Sequence, residues 1–282
     1  MSDFPLSSNL HSAEAIGVAI VTGGAGGIGM EFAKALAEEG HHLLLLDLRK
    51  DALLKASEAI RKELQAKELI VPEIFCLEID LTASNIIDKI ENFCIENSLE
   101  PELLINNAGI FSFSPLTETD SRKIEIFIDL HVRAVTVLSR WFCSYRATKG
   151  SGQLLNMSSM SCWMPMPGLA MYASTKSYIR VFTRALHYEM KDSGVKVMVA
   201  CPGGIATDLF GLPENLKKLA VGIKVLDTPD NFARKALKRL RKGKKQYING
   251  GLNRLSIFFI GITPTPLRML VKRKLLDRGI KR

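Results

Sequence analysis

Short apolar runs alternate with helix-length amphipathic segments from Ile16 to Ile248. The runs at residues 17–22, 42–47, 70–77, 103–106, 152–157, 195–201 and 246–249 have the length of strands. Leu43, Leu44, Leu45 and Leu46 follow one another without a polar residue, as in a strand covered on both faces. Ala33, Leu36 and Ala37 share one face of the first helical segment, which Gly40 ends. This repetition predicts an α/β fold: a Rossmann-like, doubly wound parallel sheet with right-handed crossovers, and helices on both faces making three layers. Residues 1–250 read as one domain, and 251–282 as a C-terminal helical extension of it. The segment 203–229 breaks the rhythm with Gly203, Gly204, Gly211, Pro213 and Gly222. It is too long for an ordinary connection and suits a lid or binding segment.

Composition refines this picture. With 282 residues, 47% hydrophobic and 24% charged, the chain can bury a full core and is not disordered. Cys76, Cys94, Cys143, Cys162 and Cys201 are scattered with no CxxC pair. That argues against a zinc site or disulfide framework and for a reducing, cytoplasmic compartment. The polar stretch 1–14 does not read as a signal peptide. The net charge of +9 is unevenly placed: from Arg234 to Arg282 there are 16 Lys/Arg and one acid, Asp277, while the remainder holds 22 basic and 28 acidic residues. A mildly acidic body with a strongly basic tail suggests an anionic surface as partner.

The first strand runs into Thr22-Gly23-Gly24-Ala25-Gly26-Gly27-Ile28-Gly29, and a helix follows at once. Glycines let the backbone turn sharply and approach a pyrophosphate, whose charge a helix N-terminus favours. The second strand ends in Asp47, placed to accept hydrogen bonds from ribose hydroxyls. Its charge repels a 2′-phosphate, which favours NAD, while Arg49 nearby leaves NADP possible. The bland alternative for Asp47 is a turn-starting acid.

Further along stand Asn106-Asn107-Ala108-Gly109, Ser159, Tyr172-Ala173-Ser174-Thr175-Lys176 and Pro202-Gly203-Gly204-Ile205-Ala206-Thr207. With the glycine turn, and in this order, these motifs resemble the single-domain branch of the short-chain dehydrogenase/reductase family from Ile16 to Asn249. The resemblance implies an alcohol dehydrogenase or ketoreductase in which Tyr172 exchanges a proton with the substrate oxygen. Ser159 would hydrogen-bond that oxygen, and Lys176 would support the phenolate and hold the nicotinamide ribose. Tyr172 and Lys176, four apart on a predicted helix, share a face, and a cation beside a phenol lowers its pKa. The resemblance also implies that Thr22, Gly23, Gly27, Ile28 and Gly29 bind the cofactor phosphates. It places Asp80, Leu81, Asn107, Ala108 and Gly109 on the adenine side, and Pro202, Gly203, Ile205 and Thr207 at the carboxamide end. Where the family often has an asparagine holding a relay water, this chain has His131. Either it serves that water, adding a pH dependence near neutrality, or it is a buried structural histidine.

Beyond Asn249, the apolar stretch 255–262 is too short to span a bilayer. Thr265-Pro266 reads as a helix start, with Leu267, Leu270, Val271 and Leu275 on one face among Arg268, Lys272, Arg273 and Lys274. Such a helix fits a membrane surface, or it packs beside the cleft or on a partner subunit; no nucleic-acid motif accompanies the charge. A tail of this kind favours a lipophilic substrate: steroid-like, acyl or long-chain base. Leu209, Phe210 and Leu212 would form one wall of its pocket, and Trp163, Met164, Met166 and Met171 the other. The family suggests a homodimer or homotetramer. The opposing reading is a catalytically silent dinucleotide-binding regulatory or scaffold protein, recruited to a surface by its basic tail.

Overall fold

In the computed structural model, which describes residues 15–203 and 227–273, seven strands pair in parallel. They are β1 (Ile16–Thr22), β2 (His42–Asp47), β3 (Ile74–Glu78), β4 (Leu99–Asn106), β5 (Gly152–Met157), β6 (Val195–Ala200) and β7 (Gln246–Tyr247). Their spatial order is β3-β2-β1-β4-β5-β6-β7. The chain builds outward from β1 to β3, then crosses back to lay β4 on the other side of β1. That reversal opens a crevice at the carboxyl ends of β1 and β4, the place where open α/β sheets bind ligands.

The helices are α1 (Gly27–Glu38), α2 (Lys50–Ala66), α3 (Ile86–Glu96), α4 (Ser121–Ile128), α5 (Val135–Lys149), α6 (Ala170–Glu189), α7 (Pro229–Arg241), α8 (Gly251–Gly261) and α9 (Thr265–Val271). They cover the sheet on both faces, which is why the β2 run needs no polar alternation. Leu43 and Leu45 join Phe32 and Leu36 of α1 and Phe232 of α7 on one face. Leu44 and Leu46 join Ile90 of α3 with Leu138 and Trp141 of α5 on the other. Each such leucine, fully buried, stabilises the fold by roughly 2 kcal/mol.

Some predicted boundaries shift. β3 begins at Ile74, leaving Ile70 91% exposed outside the sheet. β4 begins four residues earlier than predicted, because Ile16 pairs with Leu99 and Gly17 with Glu100 despite the polar interruption Glu100-Pro101-Glu102. β6 stops at Ala200, and β7 is reduced to two residues. α9 starts at Thr265 as predicted, whereas α8 is a helix that the apolar stretch alone did not define. Among the described residues no helix is long and apolar enough to cross a membrane.

Candidate active site

The glycine turn closes the amino end of α1 against the ends of β1 and β4. A Cβ at Gly29 would lie 2.1 Å from the Gly23 carbonyl oxygen, so only glycine lets the helix start this close. Gly27 has φ +56°, a left-handed value, and a Cβ there would project into open space. The first turn of α1 has no side-chain cap and no acid, so its N–H groups stay available to an anion. Thr22 stands behind this turn rather than in it: its buried hydroxyl accepts from the Asn107 and Ala108 N–H groups, both at 2.9 Å. The Asn107 amide in turn donates to the Thr22 and Gly23 carbonyls at 3.1 and 3.3 Å. These bonds lock the β1 turn to the β4 turn.

A cavity of about 440 Å³ runs along these strand ends. Gly23, Gly27 and Ile28 line it with Asp47 and Arg49; Asn107, Ala108, Gly109 and Ile110 continue it; Met157, Ser158, Tyr172 and Lys176 complete it. The Asp47 carboxylate accepts from the Arg49 N–H at 3.2 Å, and the Arg49 guanidinium approaches it to 3.7 Å. Asp80 does not line this cavity: its carboxylate starts the next turn, accepting from the Thr82 N–H at 2.8 Å and hydroxyl at 2.7 Å. Those bonds hold the Asp80 carboxyl below its ordinary range. Leu81 is buried in the core beneath it.

Tyr172 and Lys176 stand one turn apart on α6, both buried. The Lys176 ammonium donates to the Met157 carbonyl at 3.0 Å and lies 5.9 Å from the centre of the Tyr172 ring. Phe111 meets that ring edge-on, at 5.0 Å. Burial pulls the Lys176 amine down to about 8. Burial also pushes the Tyr172 phenol up, opposed by a side-chain hydrogen bond with Ser159. The expected lowering of the phenol by the lysine is thus not met in the free chain. Both groups are desolvated together, and the ammonium spends a hydrogen bond on the backbone. Ser159 also caps the short 3₁₀ turn Met160–Trp163, accepting from the Ser161 N–H at 3.1 Å.

His131 lies fully buried in a π-helical turn, Asp129–Ala134, between α4 and α5. Its Nε2 accepts from the Ile110 N–H at 3.0 Å, which leaves the proton on Nδ1 to donate to the Thr175 hydroxyl, 3.0 Å away. Burial, aided by the Lys176 charge, holds its pKa well below the usual histidine value. Both ring nitrogens are engaged by the protein, the arrangement of the buried structural histidine, the second of the two alternatives for His131. It props the Gly109–Ile110 turn.

The Pro202 carbonyl accepts from the Met160 N–H at 2.8 Å, and the Gly203 N–H donates to Asn249 at 2.7 Å. Ile205, Thr207 and the proposed wall residues Leu209, Phe210 and Leu212 lie outside the described residues. Of the opposite wall, Met171 borders a small cleft on the other side of Tyr172, with Leu116 and Phe127. Trp163 does not serve as a free wall: it packs on the core with the Arg180 guanidinium 4.4 Å over its ring. Ile110, Met157, Ser158 and Thr175 were not singled out from sequence. Ile110, Ser158 and Thr175 adjoin motif residues, a usable signal, whereas the place of Met157 in the cavity and the contact of Thr175 with His131 exist only in three dimensions.

The cavity therefore offers an uncapped helix terminus and bare glycine backbone for a pyrophosphate, and a carboxylate at the end of β2 for sugar hydroxyls. A buried Tyr–Lys pair stands at its other end. This set fits a nicotinamide dinucleotide. A profile of the short chain dehydrogenase family matches residues 17–215. The very-long-chain 3-oxoacyl-CoA reductase of Rattus norvegicus is 30% identical over 196 residues, 68% of this chain and 60% of that one. The Homo sapiens enzyme of the same name is 28% identical over 239 residues, 83% of this chain and 71% of its own length. Among solved structures, a 7beta-hydroxysteroid dehydrogenase superposes with a TM-score of 0.76 at 22% identity, covering 91% of this chain and 96% of that one. L-sorbose reductase from Gluconobacter frateurii, complexed with NADPH and L-sorbose, gives 0.71 at 21% identity, with 84% and 96% covered. The chain belongs to the short-chain dehydrogenase family of oxidoreductase enzymes.

Proposed function

We propose that this enzyme transfers a hydride between a nicotinamide cofactor and the carbonyl or secondary alcohol of a lipophilic substrate. The observation that carries this reading is that Tyr172 and Lys176 share one cavity with the glycine turn and Asp47. Gly23, Gly27, Ile28 and Gly29 would hold the pyrophosphate. Asp47 would hold the adenosine ribose and make NAD the preferred cofactor, with NADP admitted through Arg49. Asn107, Ala108 and Gly109 would border the groove, and Pro202, Gly203, Ile205 and Thr207 the carboxamide end. The cofactor, when bound, supplies or takes the hydride. Ser159 holds the substrate oxygen, Tyr172 exchanges a proton with it, and Lys176 favours the phenolate. A phenol raised by burial stays protonated at neutral pH, which suits a proton donor and hence carbonyl reduction.

The names of the curated relatives, reductases of very-long-chain 3-oxoacyl-CoA, support an acyl or similarly apolar substrate. On this reading the enzyme works in the reducing cytoplasm. It forms a homodimer or homotetramer through its long helices, where α6 exposes Tyr178, Val181 and Tyr188. The test is nicotinamide absorbance with NADH and with NADPH across steroid, 3-oxoacyl and long-chain-base ketones. Turnover of at least one of these, faster with NADH, is expected. Tight cofactor binding with no turnover on any would favour the silent scaffold reading.

A further inference from the structure

The helix after the last strand packs one face on the body and leaves an apolar face exposed. On α8, Asn253, Ser256, Ile257 and Ile260 recur at helical spacing and are partly buried. This face meets the body: the Ser256 hydroxyl approaches the Met160 sulfur at 3.9 Å, and Asn253 stands where a Cβ on Gly203 would be. The other face carries Leu252, Leu255, Phe259 and Ile262, at spacings of three and four, with Phe258 beside them. Every one of these five side chains is more than half exposed. α9, next in the chain, also exposes Leu267, Met269 and Leu270. Large apolar side chains exposed at this spacing on one helix face mark an interaction surface.

The charges that this segment itself carries are of one sign. No Asp or Glu occurs between Asp230 and Asp277, whereas Arg254, Arg268, Lys272 and Arg273 lie within or beside the patch. An apolar stripe flanked by cations alone is complementary to an anionic lipid surface, with the side chains in the acyl boundary and the cations among the headgroups. α8 is 11 residues long, too short to span a bilayer, so the arrangement is one that lies on the membrane.

We propose that α8 and α9 form a docking face for an anionic bilayer surface, and that the inner side of α8 anchors this face beside the active-site cleft. The Met160 turn that α8 packs on begins at Ser159, and Gly203 lies next to Asn253, so the docked face borders the substrate end of the cavity. This rests on the proposed lipophilic substrate only for its purpose, delivery of substrate from the lipid phase; the docking face stands on the exposed side chains and their charge.

Co-sedimentation of the full chain tests it, with vesicles of phosphatidylcholine alone and of phosphatidylcholine mixed with phosphatidylglycerol. Binding to the mixed vesicles should be at least about tenfold tighter and should weaken with salt. Leu255→Glu with Phe259→Glu should reduce it by about tenfold or more. Because those positions are solvent-exposed, the double variant should retain its thermal midpoint. Phe259→Trp, which keeps the patch apolar, should bind normally and gain fluorescence quenching from lipids brominated on their acyl chains. Absence of pelleting with either vesicle, or a Phe259→Trp signal that brominated lipid does not quench, would overturn the proposal. So would a double variant that turns an oligomer into a monomer without altering vesicle binding, since the patch would then be a contact between copies of this chain. Vesicle binding without turnover sinks the catalytic reading alone; turnover of dispersed ketones without vesicle binding sinks the docking face alone.

Discussion

Lys176 is a buried ammonium with one hydrogen bond to backbone and a pKa pulled down to about 8 by its surroundings. An unfolded lysine keeps its proton to about 10.4. Between those values the unfolded state binds more protons than the folded one, so stability should rise as pH increases from about 8. The charge costs the fold roughly 3 kcal/mol at neutral pH, a cost consistent with a group kept for chemistry rather than for packing. Lys176→Met should therefore stabilise the chain by about 1–3 kcal/mol at neutral pH, flatten the alkaline rise, and lower kcat by about 10²–10³. Denaturant titrations across that pH range, together with initial rates, measure all three effects. A destabilised variant that keeps its rate would contradict the assignment.

At the scale of elements, the π-helical turn Asp129–Ala134 brings His131 under the Gly109–Ile110 turn and against Thr175 of α6. One side chain thus couples α4 and α5, the β4 turn and α6. His131→Ala leaves the Ile110 N–H without its partner and should cost about 1–3 kcal/mol. His131→Asn, which retains an acceptor, should recover most of that loss in urea unfolding. The wild-type rate should show no break near the ordinary histidine pKa, about 6.5, because this ring stays neutral. A break there that His131→Asn abolishes would restore the relay role considered from sequence. The elements themselves were legible where local pattern and tertiary role agree. The uninterrupted leucines of β2 and the glycines of the first turn announce a covered strand and a close helix start. β4 was read short because Glu100 and Glu102 break its apolar run, although Glu100 is held by the Arg146 guanidinium at 2.7 Å. The helical extension was legible as a whole, but the bounds of α8 were not, because both its packed and its exposed face carry apolar residues and blur the one-sided period of an amphipathic helix.

For the whole molecule, the reversal of strand order between β1 and β4 makes one crevice out of residues more than a hundred positions apart. The motifs were legible in sequence because each needs a residue type the chemistry imposes: glycine for close approach, a carboxylate for hydroxyls, a phenol and amine one turn apart. Their supports were not. Asn106 belongs to a quoted motif, but the partners it meets do not: it donates to Asn156 at 2.8 Å, and Asn156 to Thr183 at 3.0 Å, a buried network spanning β4, β5 and α6. The charge asymmetry was legible from counting, but which face of the tail stays uncovered needed the packing of α8 on the Met160 turn.

The central claim is that the Tyr172 phenol exchanges the proton while the rest of the cavity holds the cofactor. Single-turnover hydride transfer by Tyr172→Phe, followed by nicotinamide absorbance alongside a cofactor-binding titration, tests it most directly. Cofactor affinity should stay within about threefold of wild type while the transfer rate falls by about 10²–10⁴. Hydride transfer at the wild-type rate in that variant would contradict it.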